Sequence, residues 1–262
     1  VSWLFTGEIE HRDSAGHHAM VRPGEVNLMT AGRGISHSEF STPDTTVLHG
    51  AQLWIALPDR ARHTAPTFVH HRPEPMGTND WTVRVFLGSL SVSADRGAEH
   101  YSASPVHTHT ELVGAEILME PGTRIKVALK AHHEHGILLD AGCLKVEADD
   151  VPVDHLAFLP AGFQTVTLTA GSKPVRALLI GGEPLHEQIL MWWNFVGRTH
   201  EEVVKYREQW QAEIGAEPGD AVPAAAYGQS KLANGLFVGE LARRLAPTAA
   251  TANVVRPGVI LT

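Results

Sequence analysis

Met29-Thr30-Ala31-Gly32-Arg33-Gly34-Ile35-Ser36-His37-Ser38-Glu39 is the stretch on which the fold turns. It follows an apolar run and carries two close glycines, so a dinucleotide-binding turn is one way to read it. That reading needs a third glycine and an immediate helix. The third glycine is missing here, and nothing after Ser36 opens a helix. The alternative is strand, turn, strand, with the glycines letting the backbone turn so that the second strand can present His37 and Glu39 inward. The stretch therefore belongs to a β protein.

Working outward, the text keeps this texture to about Ile180. Val1-Ser2-Trp3-Leu4-Phe5, the run from Gln52 to Leu57, Ile125 to Leu129 and Val175 to Ile180 are short apolar segments between Gly and Pro punctuation. They predict an all-β sandwich or barrel. Arg22-Pro23-Gly24-Glu25-Val26 through Gly32 resembles Val153 through Gly162: each places a strand before a small-residue turn. Two tandem barrels are expected, with the Pro- and His-rich Thr64 to Asp80 as a surface loop between them. After Glu183 the period changes. Thr199-His200-Glu201-Glu202 reads as a helix start, and the helix continues through Trp210. Val203, Tyr206 and Trp210 share a face that should dock on a barrel. Gly215 to Asp220 reads as a linker, followed by an Ala-rich helix from about Ala225 to Leu245 and a strand Ala252 to Val255.

Composition narrows the function. The chain has 262 residues, 43% hydrophobic, with 21 Lys+Arg against 29 Asp+Glu and a formal charge of -8. An acidic chain without a basic run lacks the general attraction of a nucleic-acid binder. No apolar stretch is long enough to span a bilayer. Val1 to Phe5 has no signal-peptide pattern, and the single cysteine, Cys143, fits a reducing cytoplasm and reads as a packed thiol. A start inside a strand without an initiator Met suggests a cut N-terminus. The 17 histidines, against 3 tyrosines, raise a metal hypothesis.

His37 and Glu39, two apart, project from one face of a strand and make half of an N/O metal site. On spacing alone, His-x-Glu is also a common solvated strand end. Gly7 to Ser14, Arg22 to Val26, Met29 to Glu39, Gln52 to Pro58, Pro105-Val106-His107-Thr108-His109-Thr110 and Trp192 to Arg198 together resemble the pirin family of the cupin superfamily. The resemblance covers residues 1 to about 215. It implies two cupin barrels and one divalent metal, iron, held in the first by three His and one Glu. His37 and Glu39 match two of these ligands; the other two fall on text before Val1, so the implied site is impaired and of low occupancy. The resemblance further implies oxidation of a flavonol such as quercetin by O₂, with Glu39 as ligand and base. A non-catalytic protein-binding module is the alternative.

His11 can face the first barrel, but the family does not use it as a ligand; His17 and His18 read as solvated. His107-Thr108-His109 and His133-Glu134-His135 are His-x-His pairs in or before the second barrel. Thr165 stands where a later ligand would, so that barrel is expected to be metal-free. In the tail, Tyr227-Gly228-Gln229-Ser230-Lys231 and Asn253 to Thr262 resemble a short-chain dehydrogenase/reductase, whose Tyr–Lys pair does acid/base work. Without a Rossmann core NAD(P) has no place to bind, so a fused fragment is the expectation and an NAD(P)-dependent reductase the poorer alternative. The expected layout is residues 1–92 and 93–185 as barrels, 186–216 as a helical tail and 217–262 as linker plus reductase-like fragment.

Overall fold

The computed structural model describes residues 1–94, 97–192, 194–213 and 215. The expected reductase-like segment, with Tyr227 and Lys231, lies outside them. The chain divides into two compact units, Val1–Glu187 and Gln188–Thr262.

The first unit is built of antiparallel sheets. Ser2–Thr6 lies between His49–Gln52 and Val26–Thr30, and Thr67–His71 closes the far edge. A three-stranded sheet, His18–Val21, Ile9–Asp13 and His37–Ser41, completes the N-terminal barrel. The second barrel has two six-stranded sheets. One runs Glu99–Ala103, Ser89–Ala94, Arg124–Ala128, Thr165–Ala170, Leu144–Val146, Asp149–Val151. The other runs Leu156–Leu159, Glu134–Ala141, Val175–Gly182, Leu112–Met119, Trp81–Leu87, Met76–Gly77. The tandem β architecture is the one the apolar runs imply. The expected boundary at residue 92 falls inside Ser89–Ala94, and strands from Met76 onward already join the second barrel.

The Met29 to Glu39 stretch resolves as strand, turn and strand, with no helix. Gly32 adopts a positive φ of 54°, and a Cβ there would lie 2.1 Å from the Thr64 carbonyl oxygen. Arg33 donates its backbone N–H to that same oxygen at 3.0 Å. Two sequence expectations fail nearby. The segment from Gln52 to Leu57 is strand only at its first residue. The supposed loop from Thr64 contains Thr67–His71, paired along Val26–Thr30. Pro and His hid a strand whose Phe68 packs on His11.

Burial patterns explain the layering. Arg124–Ala128 and Thr165–Ala170 alternate buried and partly exposed residues, as a sheet with one wet face must. Leu112–Met119 is buried almost continuously, because its sheet is covered twice. One face meets Val83, Ile125, Val127 and Leu168 in the second-barrel core. Through Leu178 and Phe86 the sheet also meets Trp3, Val26 and Leu28 of the first barrel. Trp3 stacks on Phe86 at 4.5 Å. Phe86 sits at a register break between Val85 and Leu87, where a bulge re-aims it. The ring rests over Gly114, where a Cβ would come within 2.3 Å of it.

In the second unit, Leu190–Trp192 and Phe195–Gly197 form a hairpin against the helix His200–Glu213. Thr199 starts that helix, its hydroxyl accepting the Glu202 N–H at 3.2 Å. Val203 is buried, as the helix pattern requires.

The Phe86–Gly114 contact is open to test. Phe86→Ala should cost about 3–5 kcal/mol, and Gly114→Ala about 1–3 kcal/mol from overpacking. In urea unfolding, combining Gly114→Ala with Phe86→Leu should cost less than the sum of the two, because the smaller side chain makes room for the methyl.

Candidate functional site

The strand His37–Ser41 pairs with Ile9–Asp13, placing Glu39 opposite His11 and His37 opposite Asp13. Alternation puts His37 and Glu39 on one face, as their spacing implies. The structure adds His11, almost wholly buried. Its Nδ1 lies 3.5 Å from Glu39 Oε1, and its ring stacks on Phe68 at 4.6 Å and on His37 at 5.8 Å. Gln52 Nε2 donates to Glu39 Oε2 at 3.0 Å, so the carboxylate is held from two sides.

Behind His11 lies Asp13, whose side chain has no exposed surface. It accepts from the backbone N–H groups of Ala15 and His17 at 3.0 Å each, and meets His11 Nε2 at 3.3 Å and His17 Nδ1 at 3.0 Å. Burial pushes the Asp13 carboxyl up, but the His17 backbone N–H and the His11 and His17 rings outweigh it, and its pKa falls below the usual aspartate value. The His11–Asp13 pair is the part of this site that spacing did not show. An imidazole backed by a carboxylate is the arrangement that orients metal-site histidines, and the His37–Glu39 donor set fits a divalent N/O-binding cation.

The second barrel holds a cavity of about 620 Å³, lined among others by His107, His109, Glu111, Lys130, His133 and His135. The two His-x-His pairs thus meet at one place. Glu111 Oε2 accepts from Lys130 Nζ at 2.7 Å and lies 3.2 Å from His133 Nε2 and 3.4 Å from His132 Nε2. Lys130, then His133 and His132, bring the Glu111 pKa down to about 2. Burial lowers the pKa of His133, despite Glu111, and brings that of His135 to about 4, with the His133 charge adding to the effect. Among the described residues, Glu111, His132 and His133 are the group whose donor atoms all lie within 4.8 Å of one another. The second barrel, expected to be metal-free, thus carries a group that could hold a divalent ion. These donors come from Glu111 and from the turn before Glu134–Ala141, and not from the position of Thr165. Cys143 is half-buried.

Two tandem antiparallel barrels, each carrying an imidazole–carboxylate group, define a double-barrelled cupin protein. Residues 1–55 match the family described as Pirin, and residues 114–214 match the Pirin C-terminal cupin domain. A Pseudomonas aeruginosa protein named as a candidate quercetin 2,3-dioxygenase is 38% identical over 84% of this chain, which spans 65% of its length. A Caulobacter vibrioides pirin-like protein is 31% identical, covering 81% of this chain and 72% of its own length. The crystal structure of a quercetin 2,3-dioxygenase from Acinetobacter baumannii superposes with a TM-score of 0.72 at 35% identity, over 85% of this chain and 72% of that one. The chain belongs to the pirin family. No helix among the described residues is long and apolar enough to cross a membrane.

The buried carboxylate sets a pH dependence. The folded pKa of Asp13 lies below its unfolded value of about 3.9, so its stabilisation is complete above that value and lost as pH falls through the folded pKa. Asp13→Asn should lower the melting temperature at pH 7 and flatten its decline below about pH 4. Thermal unfolding followed by circular dichroism from pH 7 to pH 3 would show both.

Proposed function

We propose that this chain works as a pirin-type flavonol dioxygenase, with His37 and Glu39 supplying two of the donors to its divalent cation, iron, in the first barrel, at a site weaker than one with four protein ligands. The observation that carries this reading is the shared face of His37 and Glu39, with the His11–Asp13 pair set against Glu39 from below. The named dioxygenases among its relatives support the substrate class, a planar aromatic with a hydroxyl beside a carbonyl. When bound, the cation supplies Lewis-acid contact to a substrate oxygen and electron transfer to O₂. The chain's own groups do the rest. Glu39 takes the hydroxyl proton on a carboxylate oxygen, while Gln52 and His11 keep that carboxylate in place. Phe68 covers the His11 ring on one side and limits water there.

A second reading rests on the other face of the same strand. Phe40 points away from His37 and Glu39 and is 64% exposed, an apolar group that the metal chemistry does not use. It favours a non-catalytic module that binds a protein partner.

Oxygen consumption with quercetin, measured on iron-loaded protein of known metal content, separates the two. The dioxygenase reading expects uptake that falls at least about 100-fold in Glu39→Gln, and with it a loss of bound iron in His37→Ala. Stoichiometric iron without oxygen uptake would sink it and leave the binding module.

A further inference from the structure

The second barrel contains donors that the proposed dioxygenase site does not use. Glu111, His132 and His133 converge, although two of them are neighbours in sequence. They do so because His132 and His133 sit in a turn, where consecutive side chains need not diverge. Their rings are edge to face at 4.6 Å, and both Nε2 atoms address Glu111 Oε2. Two imidazoles and one carboxylate form the donor set that suits borderline first-row divalent cations and leaves coordination positions open.

An independent observation points the same way. His135, 3% exposed, lines the same cavity, and its Nδ1 is buried without a hydrogen-bond partner. Buried polar atoms are ordinarily satisfied, and this orphan ring nitrogen belongs to a histidine whose ring neighbours that of His133. His135 stands with its ring 5.8 Å from that of His133.

We propose that Glu111, His132 and His133 form a second divalent-cation site, at the edge of the second-barrel cavity, with open positions facing that cavity. Lys130 is its built-in competitor. Its ammonium occupies Glu111 Oε2 at 2.7 Å and must move aside when a cation enters. The site is separate from the His37–Glu39 group and does not depend on its chemistry.

Titration of the full chain with Co²⁺, followed by the visible d–d absorption, tests the assignment. His132→Ala and Glu111→Gln change exposed side chains and leave the fold intact. Each should weaken one class of Co²⁺ site by at least about tenfold, while Glu39→Gln leaves that class unchanged. Lys130→Met should tighten it about fivefold, the strength of the surface ion pair released. Co²⁺ isotherms for His132→Ala and Glu111→Gln that both match the parent would overturn the proposal. So would loss of all Co²⁺ absorption in Glu39→Gln.

Discussion

The stack of Trp3 on Phe86 is the contact on which the first unit depends. It joins the first barrel to a sheet that already closes the second, so this one sheet serves two cores. A sheet covered on both faces cannot tolerate polar alternation, and Leu112–Met119 has almost none. Its one buried charge is managed locally: Glu116 lies against Arg84 at 3.4 Å. The bulge at Phe86 and the missing side chain at Gly114 then provide room for the ring. At the edge of the same contact, Asp140 binds His49 of the first barrel at 2.7 Å and Arg176 of its own sheet at 2.6 Å. The Arg176 guanidinium in turn lies over the Phe5 ring at 4.4 Å.

Both histidine groups follow one physical rule. A carboxylate is fixed by donors on several sides, and the imidazoles near it are thereby oriented. In the first barrel, strand pairing does this, since His11 and Glu39 are register partners and Asp13 lies two residues along. In the second, a turn and a strand approach do it, with Glu111 reaching His132 and His133 across more than 20 residues of chain. In the first, His11 and the Asp13 side chain are buried while His37 is exposed. The second is open and already carries an ammonium.

The fold was legible where hydrophobic runs were long and regular. Ile125 to Leu129 and Val175 to Ile180 became strands within a residue or two of their expected ends. Thr67–His71 was not legible, because its burial depends on Phe68 finding His11, a contact between distant segments. The shared face of His37 and Glu39 could be seen in His37-Ser38-Glu39, since residues two apart on a strand project to one side. The role of His11 could not, because it follows from register and not from its neighbours. Histidines 132, 133 and 135 stand clustered in the sequence, but that Glu111 meets two of them follows only from the fold.

The two-sided sheet also has a consequence for synthesis. Trp3 and Leu178 share one cluster but are separated by most of the described chain. A ribosome adding about 5–20 residues per second leaves Trp3 without its cover for roughly 10–35 s. Throughout that interval the first strands present an apolar face and unpaired edges to the cell. Until the second barrel's sheet has been made, the first barrel lacks the cover that its apolar face takes in the folded chain.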